Sequence, residues 1–472
     1  MSNILNGLNK IRELNKSSIF EKGYATFIAL VSALFWILGT LKVVPPYLGL
    51  TLIGIFASVS LLLFNDFKYL IPSVISFIFA NPEGYKSDSL PIPMLIIGFS
   101  LIIVIIAFTI INRKRITFKN KDKSFYAFIY FALFSFLPLA YNNLITKEVI
   151  TLIFVYFSYL LYLGVYLFFL ANMNEESFRV TSYSIEMIAI ILALECIAKV
   201  WILRSADASV SIFTYEYFMG WGLCNEAGIM ICFALPFVFL RAKSFSKIYE
   251  FIIFAVELSF IIIGMLLTTS RGTYLFGAVS LVALTIYAFI NHKHRWKFII
   301  SIIAVLAVDL LIIQLIIGIP RIIQEILDYV FRHGLDSNGR VELYDSAVKL
   351  WLDSPLTIVF GKGWVAERVM TQTYFGMQDA YLVYHSTFFE TLACYGALGV
   401  YMMIFHFIEK YKQTKKLGLF GGGLIVIGYI AVDLYGMIDN SYNFYYFMIP
   451  LVIVMASLDA YRPETKLIEV NN

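Results

Sequence analysis

Charge is scarce in this chain: 14% of its 472 residues are Asp, Glu, Lys or Arg, against 60% that are hydrophobic. Soluble globules hold roughly 45–50% apolar residues and about a quarter charged ones, so this composition excludes a water-soluble fold. Cysteine is scarce too. Cys196, Cys224, Cys232 and Cys394 are scattered, without the paired spacing of a metal site or the density of a disulfide framework, and read as packing residues. No Gly/Ser linker, low-complexity tract or internal repeat divides the chain. The first 23 residues lack the apolar core and small-residue cleavage site of a signal peptide, so the first apolar run serves as the insertion signal. The net charge of +4 does not point to nucleic acid, because most basic residues lie in short loops where membrane topology explains them.

Long apolar runs are what the chain has in abundance. About 20 apolar residues in a helix cross the hydrocarbon layer, because lipid offers the backbone no hydrogen-bond partners. Fourteen segments meet that test, near 24 to 41, 47 to 64, 67 to 80, 92 to 111, 124 to 141, 149 to 171, 180 to 203, 225 to 240, 248 to 269, 272 to 290, 298 to 318, 386 to 408, 418 to 434 and 442 to 459. The third is short and interrupted by Pro72, and the eighth contains Pro236, so a re-entrant course is open for both. The expected fold is an all-α, polytopic transmembrane bundle of about 14 spans. Its divisions are a cytoplasmic segment 1–23, spans over 24–318, an extracytoplasmic loop 319–385 containing helix, spans over 386–459, and a cytoplasmic tail 460–472.

Lys and Arg crowd alternate loops: Arg113 to Lys123, Arg241 to Lys247, Lys293 to Lys297 and Lys410 to Lys416. By the positive-inside rule these loops and both termini face the cytoplasm, and the sparsely basic face is outside. The large loop, Pro320 to Tyr384, then lies outside although it carries Arg321, Arg332, Arg340, Lys362 and Arg368. Basic residues that resist the rule point to a bound anion, and a lipid phosphate or diphosphate is the obvious one in a membrane enzyme.

Three positions stand out on that face. Arg271, in Thr268-Thr269-Ser270-Arg271-Gly272, falls at the headgroup boundary, where a guanidinium can grip phosphate oxygens; the plainer reading is an arginine snorkelling from a tight hairpin. Arg340 follows Ser337-Asn338-Gly339 at the start of an expected helix, with Val341, Tyr344, Val348 and Trp351 along one face. Arginine in a first turn opposes the helix dipole, an effect that a bound diphosphate would reverse; pairing with Asp336 or Asp345 is the alternative. His385 re-enters the membrane where a near-neutral imidazole suits proton removal from a sugar hydroxyl, or serves structure alone. Buried charges form a second group: Glu186, Glu195 and Lys199, Glu257, and Asp309. They read either as local pairs, such as Glu195 with Lys199, or as the floor of a polar cavity or a proton path.

Three segments, in order, resemble the O-antigen ligase and polymerase family of membrane glycosyltransferases. They are Tyr217-Phe218-Met219-Gly220 through Asn225-Glu226-Ala227-Gly228; Thr269-Ser270-Arg271-Gly272; and the outer loop with Gly339-Arg340, Trp351, Pro355 and Gly361-Lys362-Gly363, closed by His385. The resemblance covers roughly residues 215 to 405. It departs where the family often has Pro before the entry asparagine and Asn after the histidine, positions held here by Cys224 and Ser386. It implies a polyprenyl-diphosphate-linked oligosaccharide as donor in the bacterial cytoplasmic membrane; the expected transfer uses no metal, arginines taking the place of a divalent cation, and no cofactor. On this resemblance Arg271 and Arg340 become catalytic, diphosphate-binding arginines and His385 the catalytic histidine; beside it, Asn225, Lys362 and the buried Lys199 are also expected to bind substrate. Expected partners are membrane lipids and, from the same pathway, a chain-length regulator and a flippase. The expected activity is polymerisation of a surface polysaccharide. A ligase using a different acceptor, or a lipid-linked oligosaccharide flippase, are the rival readings.

Overall fold

Deprived of water, the polar backbone of an apolar segment closes its hydrogen bonds within that segment, and the result is helix. The computed structural model describes residues 17–82, 125–137, 146–207, 217–242, 245–316, 340–363, 383–439, 441–442 and 444–461, with 103, 123, 324, 366 and 370 in isolation. These residues form an all-helical chain with one isolated bridge, Phe218 to Leu223. In order the helices are α1 Ser18–Thr40, α2 Tyr47–Phe64, α3 Leu70–Phe79, α4 Phe125–Phe134, α5 Thr146–Asn172, α6 Ser177–Ala206, α7 Cys224–Ala242 and α8 Ile248–Leu267. There follow α9 Ala278–Asn291, α10 Arg295–Ile316, α11 Arg340–Trp351, α12 Pro355–Phe360, α13 Thr387–Gln413, α14 Gly418–Gly436 and α15 Tyr445–Ala460. Among the described residues six stretches are long and apolar enough to cross a membrane: α1, α2, α7, α8, Thr273–Asn291, and Thr387–Gly436, which holds α13 and α14. The chain is thus a multi-pass helical membrane protein.

Thirteen of the fourteen expected segments contain a described helix; the fourth, 92 to 111, lies outside the described residues but for residue 103. α1 begins at Ser18, six residues before the expected start, because the Ser17 hydroxyl caps it by accepting from Phe20 N at 3.1 Å. α4 ends at Phe134, well short of the expected 141. Pro72 falls in the first turn of α3, where a missing N–H costs nothing. Pro236 lies inside α7, and Gly428 of α14 leaves room for its ring.

The packing of α7, α8 and α14 defines two ends. Gly421 lies against Leu240, Gly428 against Pro236, and the Tyr435 hydroxyl on the Asn225 carbonyl, so α14 runs antiparallel to α7. One end therefore gathers Asn225, Thr268 to Thr273 and Tyr435 to Asp439; the other gathers Arg241, Lys247 and Gly418. At 1.5 Å per residue the 19 residues of α14 separate them by about 28 Å, one hydrocarbon thickness.

α13 is broken at Gly396, whose φ of 66° is accessible to glycine at little cost. The break folds the helix sharply: Thr391 Oγ1 lies 3.8 Å from Met403 Sδ, whereas twelve residues of straight helix would span about 18 Å. Two carbonyls freed by the break, of Ala393 and Cys394, accept from the backbone N–H groups of Lys362 and Gly363 at 2.7 and 2.8 Å. Gly361, with φ 75°, lets that segment approach so closely that a Cβ would stand 2.3 Å from the Cys394 carbonyl carbon. Lys362 and Gly363 are thereby hydrogen-bonded to α13 backbone to backbone.

Candidate active site at the Tyr435 end of the bundle

α8 stops at Leu267, and the chain turns through Thr268-Thr269-Ser270-Arg271. Thr269 has φ 53°, a left-handed conformation that costs a non-glycine residue on the order of 1–3 kcal/mol and persists where neighbours impose it. The neighbour is Tyr435 of α14. Its hydroxyl lies 2.5 Å from Ser270 Oγ and 3.2 Å from Thr273 Oγ1, and donates to Asn225 O at 3.2 Å. One proton given and two accepted exhaust a phenol's capacity. Gly272 rests on the Tyr435 ring, and Gly228 of α7 leaves the space that Thr273 fills. A π-helical turn, Thr273–Gly277, follows, a distortion frequent at functional sites. Arg271 emerges half-buried from this knot.

Arg340 is the first residue of α11, as the sequence suggested, and its Nη1 donates to Ile438 O at 2.5 Å. Asp345, its expected alternative partner, pairs instead with Lys349; Asp336 lies outside the described residues. The buried face of α11 is Leu343, Ser346, Ala347 and Leu350, not the expected Val341, Tyr344, Val348 and Trp351: Val341 is exposed, and the helix is turned by about one position.

His385 Nδ1 lies 3.5 Å from Asp439 Oδ1, with the imidazole 44% exposed. Its φ of 49° is again left-handed, and its carbonyl accepts from the Tyr344 hydroxyl at 3.2 Å. The Tyr344 ring stacks on Phe389 at 4.3 Å. Burial pushes the Tyr344 hydroxyl above its usual range; Asp439 pushes the same way, and Arg340 pulls it back. Thr387 Oγ1 approaches Asp439 O at 3.5 Å and accepts from Ser441 N at 3.3 Å, closing the turn.

Arg340 and His385, 45 residues apart in sequence, thus meet adjacent residues, Ile438 and Asp439. Both hang on the last turn of α14, since Ile438 N and Asp439 N each donate to Tyr435 O at 3.0 Å. Tyr435 is also the residue that holds Ser270 and Gly272 on either side of Arg271. The side chains of Arg340 and His385 and the backbone turn that carries Arg271 are therefore all tied to the stretch Tyr435 to Asp439. Asp439 escaped the sequence reading, because nothing in a short polar stretch between two apolar runs marks which of its residues faces a histidine 54 positions upstream; Tyr435, inside an apolar run, escaped it too, and Tyr344 was read only as a helix-face residue.

The other expected residues are placed less uniformly. Asn225 opens α7 beside Tyr435. Lys362 pairs with Asp353 at 2.6 Å, beside the fastening of α12 to α13. Lys199 is buried on α6, and Glu195 accepts from Trp221 Nε1 at 3.0 Å. Glu186 and Glu257 belong to the opposite end, where Arg241 meets Glu186 at 3.1 Å and also pairs with Glu257. Glu186 lines a cavity of about 1150 Å³ there with Arg179, Lys415 and Lys416, so it does not floor the site around Asp439. Asp309 accepts from Ser259 between α10 and α8.

Fold and geometry together describe a helical membrane protein that clusters basic side chains and an imidazole at one end of its bundle. Residues 257–404 match the family model described as O-Antigen ligase, which confirms the resemblance over the stretch holding Arg271, Arg340, Lys362 and His385. Asn225, Lys199 and Asp439 fall outside the matched residues. No curated protein matches the chain.

Proposed function

We propose that this protein is a polymerase of a surface polysaccharide in the bacterial cytoplasmic membrane, with about 14 spans, both termini cytoplasmic and the Tyr435 end outside. It transfers a glycan from undecaprenyl diphosphate to an acceptor sugar of another lipid-linked repeat unit. The observation that carries this reading is the convergence of Arg340 and His385 on Ile438 and Asp439, at the end of α14 that also packs around Arg271. The matched O-Antigen ligase domain supports the same chemistry.

In this mechanism the acceptor hydroxyl attacks the anomeric carbon of the donor glycan. The new C–O bond forms as the bond to the diphosphate breaks, and the diphosphate leaves with the electron pair. Arg271 and Arg340 hold the charge that accumulates on it, without need of a divalent cation, and Asn225 helps to seat it. The hydroxyl proton passes to His385 Nε2, since Nδ1 faces Asp439; the Asp439 carboxylate orients the ring and steadies the imidazolium. Lys362 and Lys199 are assigned to substrate only indirectly, the first through the α12 to α13 fastening and the second as a buried cation near the end of α6.

The deciding experiment gives purified protein a polyprenyl-diphosphate-linked repeat unit. A ladder of longer chains that disappears in Arg340→Ala and His385→Ala supports the proposal. Transfer only to a different acceptor means a ligase, movement across vesicles without new bonds means a flippase, and an unchanged ladder from both variants removes the assigned roles.

A further inference from the structure

α8 and α10 meet where Ser259 bonds Asp309 but leave a surface groove along their junction. Between them runs a groove of about 650 Å³, lined by Phe251, Ala255, Phe260, Ile300 and Ala304 among others, with Lys297 at one extremity. Its walls are apolar, and the small side chains of Ala255 and Ala304 leave it open. The mouth at Lys297 belongs to the Arg241 end, away from His385: Ile248, which follows Lys247, lines the same extremity. Lys293, Arg295 and Lys297 have no carboxylate partner among the described residues. Glu250, the acidic side chain nearest in α8, is engaged as a helix cap beside Lys247, accepting from Ser246 N and Lys247 N at 2.7 and 2.8 Å. Trp296, 64% exposed, stands on the same turn, in the manner of an interfacial aromatic.

We propose that the groove between α8 and α10 holds an acyl chain of an anionic phospholipid, whose phosphate sits among Lys293, Arg295 and Lys297. Loop topology accounts for basic residues on this face but not for an apolar channel that ends at Lys297, two residues past Arg295 and four past Lys293. A zwitterionic lipid would also fill the channel, but its choline would bring a further positive charge beside Lys293, Arg295 and Lys297. Basic pockets between membrane helices recognise acidic headgroups by this combination of tail groove and charged mouth.

The test uses the full-length protein in vesicles of phosphatidylglycerol or phosphatidylcholine with brominated acyl chains, reading Trp296 fluorescence as wild type minus Trp296→Phe. Brominated phosphatidylglycerol is expected to quench Trp296 several-fold more effectively than phosphatidylcholine at equal mole fraction. Arg295→Gln with Lys297→Gln, both exposed and therefore harmless to folding, should abolish the preference. Ala255→Phe with Ala304→Phe should weaken quenching by both lipids. Equal quenching by the two lipids, or a preference that survives the glutamine variant, overturns the proposal. So does displacement of brominated phosphatidylglycerol by equimolar polyprenyl phosphate, or disulfide-linked dimers from Ile252→Cys, which would make the occupant a carrier tail or a second copy. The readout is independent of glycosyl transfer, so failure here leaves the proposed function standing.

Discussion

At the Arg241 end of the bundle, interior cations meet carboxylates. Glu21, fully buried, takes Lys68 at 2.8 Å and Arg179 through both oxygens; Arg241 takes Glu186 and Glu257; Lys416 takes Asp459 at 3.0 Å. At the Tyr435 end the pattern differs. Arg340 bonds a carbonyl that carries no formal charge, and His385 stands half-exposed beside one carboxylate. Buried charges that serve the fold need compensation from within, because an unmatched charge costs several kcal/mol in an apolar setting. A cation anchored on a neutral dipole keeps its charge for an anion that arrives from outside. Backbone strain does not follow the same division: Thr269 and His385 are left-handed at the end proposed to react, and Asn65, beside Asp66 at the other end, is left-handed too.

The contrast breaks most severely at Asp433, which accepts from the buried Lys410 at 2.7 Å and from the Tyr442 hydroxyl at 2.5 Å, below the turn that carries Asp439. Asp433→Ala strands the Lys410 ammonium and should cost roughly 3–5 kcal/mol, seen as loss of monodisperse protein in size-exclusion chromatography; adding Lys410→Met should restore most of it. Next in size, His385→Ala should lower kcat by about 10²–10⁴ with an unchanged melting temperature, measured by chain growth on lipid-linked substrate. Arg340→Ala should lower it by about 10²–10³, and Arg340→Lys should recover part of the loss. The smallest effect belongs to Lys362→Gln. Its partner Asp353 is half-exposed, so the ion pair contributes about 0–1 kcal/mol, and both melting temperature and turnover should stay near wild type. A large loss of turnover at Lys362 would instead place its ammonium on the substrate and blur the division drawn here.

Much of the bundle was legible in advance because apolar length is a local property. The expected segments 47 to 64 and 418 to 434 coincide with α2 and α14 almost residue for residue, and α11 starts at Arg340 as its Ser-Asn-Gly approach suggested. The break in α13 was not legible. Glycine inside an apolar run is common, and only the bonding of Lys362 N and Gly363 N to the Ala393 and Cys394 carbonyls, across the close approach of Gly361, shows why Gly396 leaves the helix. The face of α11 was misplaced because its apolar residues are spread round the helix, and packing against α13 chose among them.

From sequence alone came the membrane character, the positions of most helices and the three side chains with chemistry to offer, since hydropathy, charge sorting and residue type are written in short windows. Tertiary structure alone decided what those side chains face. Tyr435 holds the Arg271 turn, Ile438 receives Arg340 and Asp439 meets His385 because α14 packs antiparallel to α7 and ends between elements far apart in the chain, and no local pattern encodes where such an end will fall.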